Sequence, residues 1–141
     1  MASFEVVGGK RLSGEITPQG AKNEVLQILC AVLLTPEKVV IKNIPQIVDI
    51  IKLIDLLDSL GVEVTKISDS EYHFEATNID LDYFETEEFR KKGSALRGSV
   101  MILGPLLARF GKCKLPQPGG DKIGRRRLDT HFLGFQKLGA K

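Results

Sequence analysis

Apolar residues recur every three or four positions over several stretches, and every second position over others. Ala21, Val25, Ile28, Leu29, Val32 and Leu33 predict an amphipathic helix over roughly 21–34, with Pro36 just past its end. Val48, Ile51, Ile54, Leu57 and Leu60 predict a second over 47–60, stopped by Gly61. On its surface, pairing of Lys52 with Asp55 or Asp58 reads as ordinary helix chemistry. Leu96, Val100, Leu103, Leu106 and Leu107 predict a third over 94–109, with a kink or break at Gly104 and Pro105. A last helix covers 129–138 and ends at Gly139. Alternation predicts strands at 4–7 and 12–16, at 39–44, and at 62–67 and 71–75 about a turn, with a further short one at 79–83. The charged stretch 85–92 carries no clear period.

Laid over each other, the two halves agree. Lys22 aligns with Arg97, Leu33 with Leu107, Asp49 with Asp129, and Leu60 and Gly61 with Leu138 and Gly139. Such a period means one supersecondary unit used twice, roughly βαβαββ, within an α/β (α+β) class. The first copy runs over about 21–80 and the second over about 90–141. The second stops at Lys141, before the strands that followed Leu60 in the first, so the chain reads as cut short. The surface this exposes is a candidate for dimerisation.

Composition narrows the function. The 141 residues suffice for one core, and 43% hydrophobic with 27% charged is ordinary for a globular chain. A net charge of +2 gives no reason to expect nucleic acid, because the positive charge is local. Cys30 and Cys113 form no CxxC pair, and with His73 and His131 they offer no metal-ligand spacing. The apolar run at 28–34 is too short to span a membrane, and nothing at residues 1–7 reads as a signal peptide. A reducing cytoplasm is the expectation.

The local charge lies at 112–131, KCKLPQPGGDKIGRRRLDTH. Gly119 and Gly120 allow close backbone approach, and behind them Asp121 stands among Lys122 and the arginines at 125–127. That composition suits holding an anion and moving a proton beside it; the competing reading is a solvated charged loop. Lys22 and Arg97 add cations at two helix starts, where they oppose the dipole at a cost of about 0.3–1 kcal/mol. Free N–H groups beside an ammonium make an anion pocket there. P-loop, GxSxG and HExxH patterns are absent.

Three blocks together, GAKNEVLQIL at 20–29, SALRGSVMILGPLLARFG at 94–111 and LPQPGGDKIGRRRLDTHFLGFQKLGA at 115–140, resemble the enolpyruvyl transferase family, in register over essentially the whole chain. The closest resemblance is to its branch that acts on UDP-N-acetylglucosamine at the first committed step of peptidoglycan precursor synthesis. Its fold is an inside-out α/β barrel of two lobes, each of three βαβαββ units, and residues 1–20 are expected to complete the second lobe.

The resemblance implies transfer of the enolpyruvyl group of phosphoenolpyruvate to the 3′-hydroxyl of UDP-N-acetylglucosamine, with release of phosphate and no cofactor. It implies that Lys22, Arg97 and Arg126 bind phosphoenolpyruvate. Asn23, Arg97, Arg126, Arg127, Leu128 and Asp129 are implied for UDP-N-acetylglucosamine. Asp121 stands where most members carry cysteine, as general acid, and implies resistance to fosfomycin. The general base and further arginines of the family lie outside these residues, so the chain alone is expected to be inactive. Two alternatives stay open: the sister activity on shikimate 3-phosphate, and a non-catalytic anion- or nucleotide-binding domain.

Overall fold

The computed structural model describes residues 3–119 and 127–141. Helix α1 (Lys22–Ala31) runs into a 3₁₀ turn (Val32–Leu34), followed by β1 (Val39–Lys42) and α2 (Val48–Ser59). Strands β2 (Glu63–Lys66) and β3 (Glu71–Glu75) follow, then a 3₁₀ turn (Asp82–Glu85) and α3 (Glu87–Ser94). A second helical stretch is 3₁₀ over Arg97–Ile102 and α-helical over Leu103–Phe110 (α4), and α5 spans Asp129–Lys137. The three strands form one antiparallel sheet in the order β1-β3-β2. Tyr72 and Phe74 of β3 and Ile41 of β1 are buried on its inner face.

The helix ends follow from local chemistry. Gly61 takes φ +95° after α2, and the Gly61 and Val62 amides donate to the Asp58 and Leu57 carbonyls. This is the paired C-terminal closure that a left-handed glycine permits. Helix α5 ends the same way: Gly139 takes φ +98°, with its amide on Gln136 and that of Ala140 on Phe135. The aligned glycines of the two halves therefore close equivalent helices. Charged segment 85–92 becomes α3 because Thr86 caps the Phe89 amide at 3.1 Å, Glu87 and Glu88 occupy its first turn, and Lys91 and Lys92 its last.

Four expectations change. Segments 4–7 and 12–16 are not strands: Phe4, Val6, Leu12 and Ile16 are each at least 90% exposed, and no described residue pairs with them. Alternation marks a strand only where a partner supplies the hydrogen bonds. Segment 79–83 is not a strand either, because the Asp80 carboxylate accepts the Asp82 and Tyr83 amides and bends the chain into a 3₁₀ turn. The third helix breaks earlier than Gly104 and Pro105 suggest. Leu96 is extended, the 3₁₀ stretch runs to Ile102, and Pro105 falls in the first turn of α4, where a missing N–H costs nothing.

Helix α2 also turns a different face inward. Ile50, Leu53, Leu56, Leu57 and Leu60 are fully buried, while Val48 and Ile51 stand 64% and 48% exposed. Its apolar positions span a wide arc, and the polar stripe Asp49–Lys52–Asp55–Asp58 lies on the other side. On α1, likewise, Leu26 and Cys30 are buried and Ile28 is not. Leu53→Ala is therefore expected to lower stability by about 2–5 kcal/mol and Ile51→Ala by less than about 1 kcal/mol in urea unfolding. Equal losses would mean that the other face is buried.

Candidate functional site

The start of the 3₁₀ stretch at Arg97 is held from several sides. Ser99 is fully buried, and its hydroxyl lies 2.7 Å from the Gly93 carbonyl and 2.6 Å from that of Leu96, donating to one or the other. Gly98 faces α1, with the Leu26 methyls 3.5–3.6 Å from where a Cβ would stand. At the far end Arg109 donates to the carbonyls of Leu33 (3.1 Å) and Ala76 (2.8 Å). The second helical stretch is thereby locked along the first.

This packing opens a cleft of about 630 Å³ between the starts of α1 and α2 and the turn at 95–101. Lys22, Asn23 and Gln27 of α1, Asp49 and Lys52 of α2, and half-buried Arg97 line it. The Lys22 ammonium donates to the Asp49 carboxylate at 2.8 Å. Asp49, in the first turn of α2, is favoured by that helix dipole and offsets the cation that α1 carries at its unfavourable end. Among the described residues, three cations and one carboxylate line the cleft. The arrangement suits a small dianion.

Sequence reading anticipated Lys22, Asn23 and Arg97, and the fold brings these together. It missed Asp49 and Lys52 as cleft residues. Their signal was the polar i, i+3 spacing at the start of α2, on the same stripe as Asp55 and Asp58. The expected pairing of Lys52 with Asp55 or Asp58 does not form. Asp55 instead meets Lys92 of α3 at 3.0 Å, and Glu88 shares that ammonium at 3.0 Å. Burial opposes the charge on Lys92, but hydrogen bonds to Glu88 and Asp55 outweigh it and raise its pKa.

Arg127, Leu128 and Asp129 gather at a second cleft of about 640 Å³, beside Cys113, Leu115 and Pro116. There the Arg127 guanidinium pairs with Asp129 at 2.6 Å. Burial pushes the Cys113 thiol up to about 12, which keeps it protonated at neutral pH. Asp121 and Arg126 lie outside the described residues. Among described residues, no group of three or more His, Cys, Asp or Glu is placed to hold a metal ion, and no helix is long and apolar enough to cross a membrane.

The approach to the glycine loop runs back towards the first cleft. Gly119 lies so close to the Ser94 carbonyl that a Cβ would stand 1.9 Å from its oxygen. Only glycine fits against Ser94, which lies three residues before Arg97 in the chain. Gly119→Ala is expected to displace this segment and shift the Ser94–Arg97 amide signals in a ¹H–¹⁵N spectrum. Unchanged signals there would disprove the close approach.

The chain is similar to several known proteins. The family model described as EPSP synthase (3-phosphoshikimate 1-carboxyvinyltransferase) matches residues 6–141. The chain is 62% identical over 140 residues to a UDP-N-acetylglucosamine 1-carboxyvinyltransferase of Bacteroides fragilis, covering 99% of this chain and 32% of that one. Proteins of the same name from Porphyromonas gingivalis (56% over 140 residues, 99% of this chain and 32% of the relative) and Borreliella burgdorferi (41% over 141 residues, 100% and 32%) are also similar. The chain thus spans about a third of the length of these curated relatives. In fold it is similar to the enolpyruvyl transferase NikO from Streptomyces tendae, with TM-score 0.55 and 24% identity over 74% of this chain and 23% of that one.

Proposed function

The chain belongs to the EPSP synthase (3-phosphoshikimate 1-carboxyvinyltransferase) family, and from that premise we propose that it serves enolpyruvyl transfer from phosphoenolpyruvate to the 3′-hydroxyl of UDP-N-acetylglucosamine. In that reaction the acceptor oxygen loses its proton and bonds to the central carbon of phosphoenolpyruvate, and the bond from that carbon to the phosphate oxygen breaks. The observation that carries the reading is the meeting of Lys22, Asn23 and Arg97 in one cationic cleft. The relatives' names supply the acceptor. This third of such an enzyme is inactive by itself. In the longer protein residues 1–20 add to a second lobe.

Each residue has a role in this reading. Lys22 and Arg97, with Arg126, hold the carboxylate and phosphate of phosphoenolpyruvate and spread the charge of the departing phosphate. Asn23 offers an amide to the sugar. Arg127, Leu128 and Asp129 take the uridine end at the second cleft. Asp121 is the general acid. The step needs its protonated form, which an anion bound beside it would favour.

The family description favours a second acceptor, shikimate 3-phosphate. An amide-shift titration of the 141-residue chain separates the two. Shifts at Asn23 and at Arg126–Asp129 with UDP-N-acetylglucosamine alone are expected. Equal shifts with shikimate 3-phosphate or with inorganic phosphate would favour the sister activity or a plain anion-binding domain.

A second test uses the longer enzyme. Fosfomycin alkylates a thiol, and the loop offers a carboxylate at Asp121, while Cys113 is held protonated. Activity is expected to survive fosfomycin, to fall on the order of 100-fold or more in Asp121→Asn, and to become fosfomycin-sensitive in Asp121→Cys. Full activity in Asp121→Asn would remove Asp121 from the mechanism.

A further inference from the structure

Lys52 has two helical neighbours of opposite charge, Asp49 one turn before it and Asp55 one turn after. Such spacing normally yields an i, i+3 pair. Here both carboxylates are committed across elements, Asp49 to Lys22 at 2.8 Å and Asp55 to Lys92 at 3.0 Å. Lys52 makes no ion pair among the described residues, and it lines the cleft that holds Lys22 and Arg97. Among the described residues, the Lys52 ammonium is therefore a cleft cation that no carboxylate neutralises.

We propose that Lys52 is a third anion-binding cation of this cleft, donating to a carboxylate or phosphate oxygen of the ligand from the α2 side. The assignment rests on the anion-binding reading of the cleft. Lys22, already engaged by Asp49, then acts as an oriented donor held in place by its own counter-ion. Lys52 supplies the mobile charge, its long stem letting the ammonium follow the ligand. Because the site stays open to water, the contribution of Lys52 is moderate and weakens with salt.

The test is an amide-shift titration of the 141-residue chain at low ionic strength with phosphoenolpyruvate, inorganic phosphate and pyruvate. The variants are K52Q, K22Q and, as a control on the outer face of α3, K91Q. K52Q is expected to weaken phosphoenolpyruvate binding about three- to tenfold, and K91Q less than about twofold. A matching loss with inorganic phosphate assigns Lys52 to the phosphate end, and with pyruvate to the carboxylate end. Lys52 is exposed, so K52Q is expected to keep the wild-type spectrum away from the cleft. Binding weakened by K22Q but not by K52Q would overturn the role of Lys52 and leave the cleft's function intact. No binding of any of the three anions by the unsubstituted chain would overturn both.

Discussion

The seating of the 97–110 stretch along α1 is the interaction on which the rest of the molecule depends. It is made by apolar packing, by the buried Ser99 hydroxyl and by the Arg109 guanidinium spanning the ends of α1's extension and β3. Burying a hydroxyl or a guanidinium is costly unless it is hydrogen-bonded, so each of these groups specifies one relative placement of the two helical stretches. A small slide would leave Ser99 or Arg109 without its carbonyls. The cleft exists only in that placement, because its walls belong to α1, α2 and the turn before the 3₁₀ stretch.

Charge is distributed to match. Over the whole chain positive and negative residues nearly cancel, yet the cleft holds a local excess of cations. Elsewhere several cations are matched: Lys92 with Asp55 and Glu88, Lys66 with Asp69, Lys114 with Glu85. Exposed pairs of this kind add little stability. One consequence is that Asp55, a helical turn after Lys52, is already occupied. Asp49 is the exception that serves the site, since it meets Lys22 within the cleft.

Much of this was legible along the chain. Helical periodicity placed α1 and α2 within about two residues, glycines marked the ends of α2 and α5, and three blocks of sequence pointed to the enolpyruvyl transferases. Lys22 and Arg97 were conspicuous because a cation at a helix start is locally unfavourable. Such a residue points to something outside its own helix. Asp49 and Lys52 were illegible for the opposite reason: polar residues in a helix stripe look like solvated surface until another element closes over them.

The sequence by itself determined what depends on neighbours within a few residues: helix starts and stops, the αL closures at Gly61 and Gly139, and the cap at Thr86. Only the tertiary structure decided which of the apolar positions of α2 are covered and that Val48 and Ile51 are not. The apolar arc of α2 is wider than the buried face, and packing against α1, α3, β2 and the start of the 97–110 stretch selects the part that is covered. It also decided that segments 4–7 and 12–16 form no strands, since strand hydrogen bonds require a partner that periodicity cannot supply. The same holds for the cleft. Its cations are separated by up to 75 residues in the chain, and only packing makes them one field.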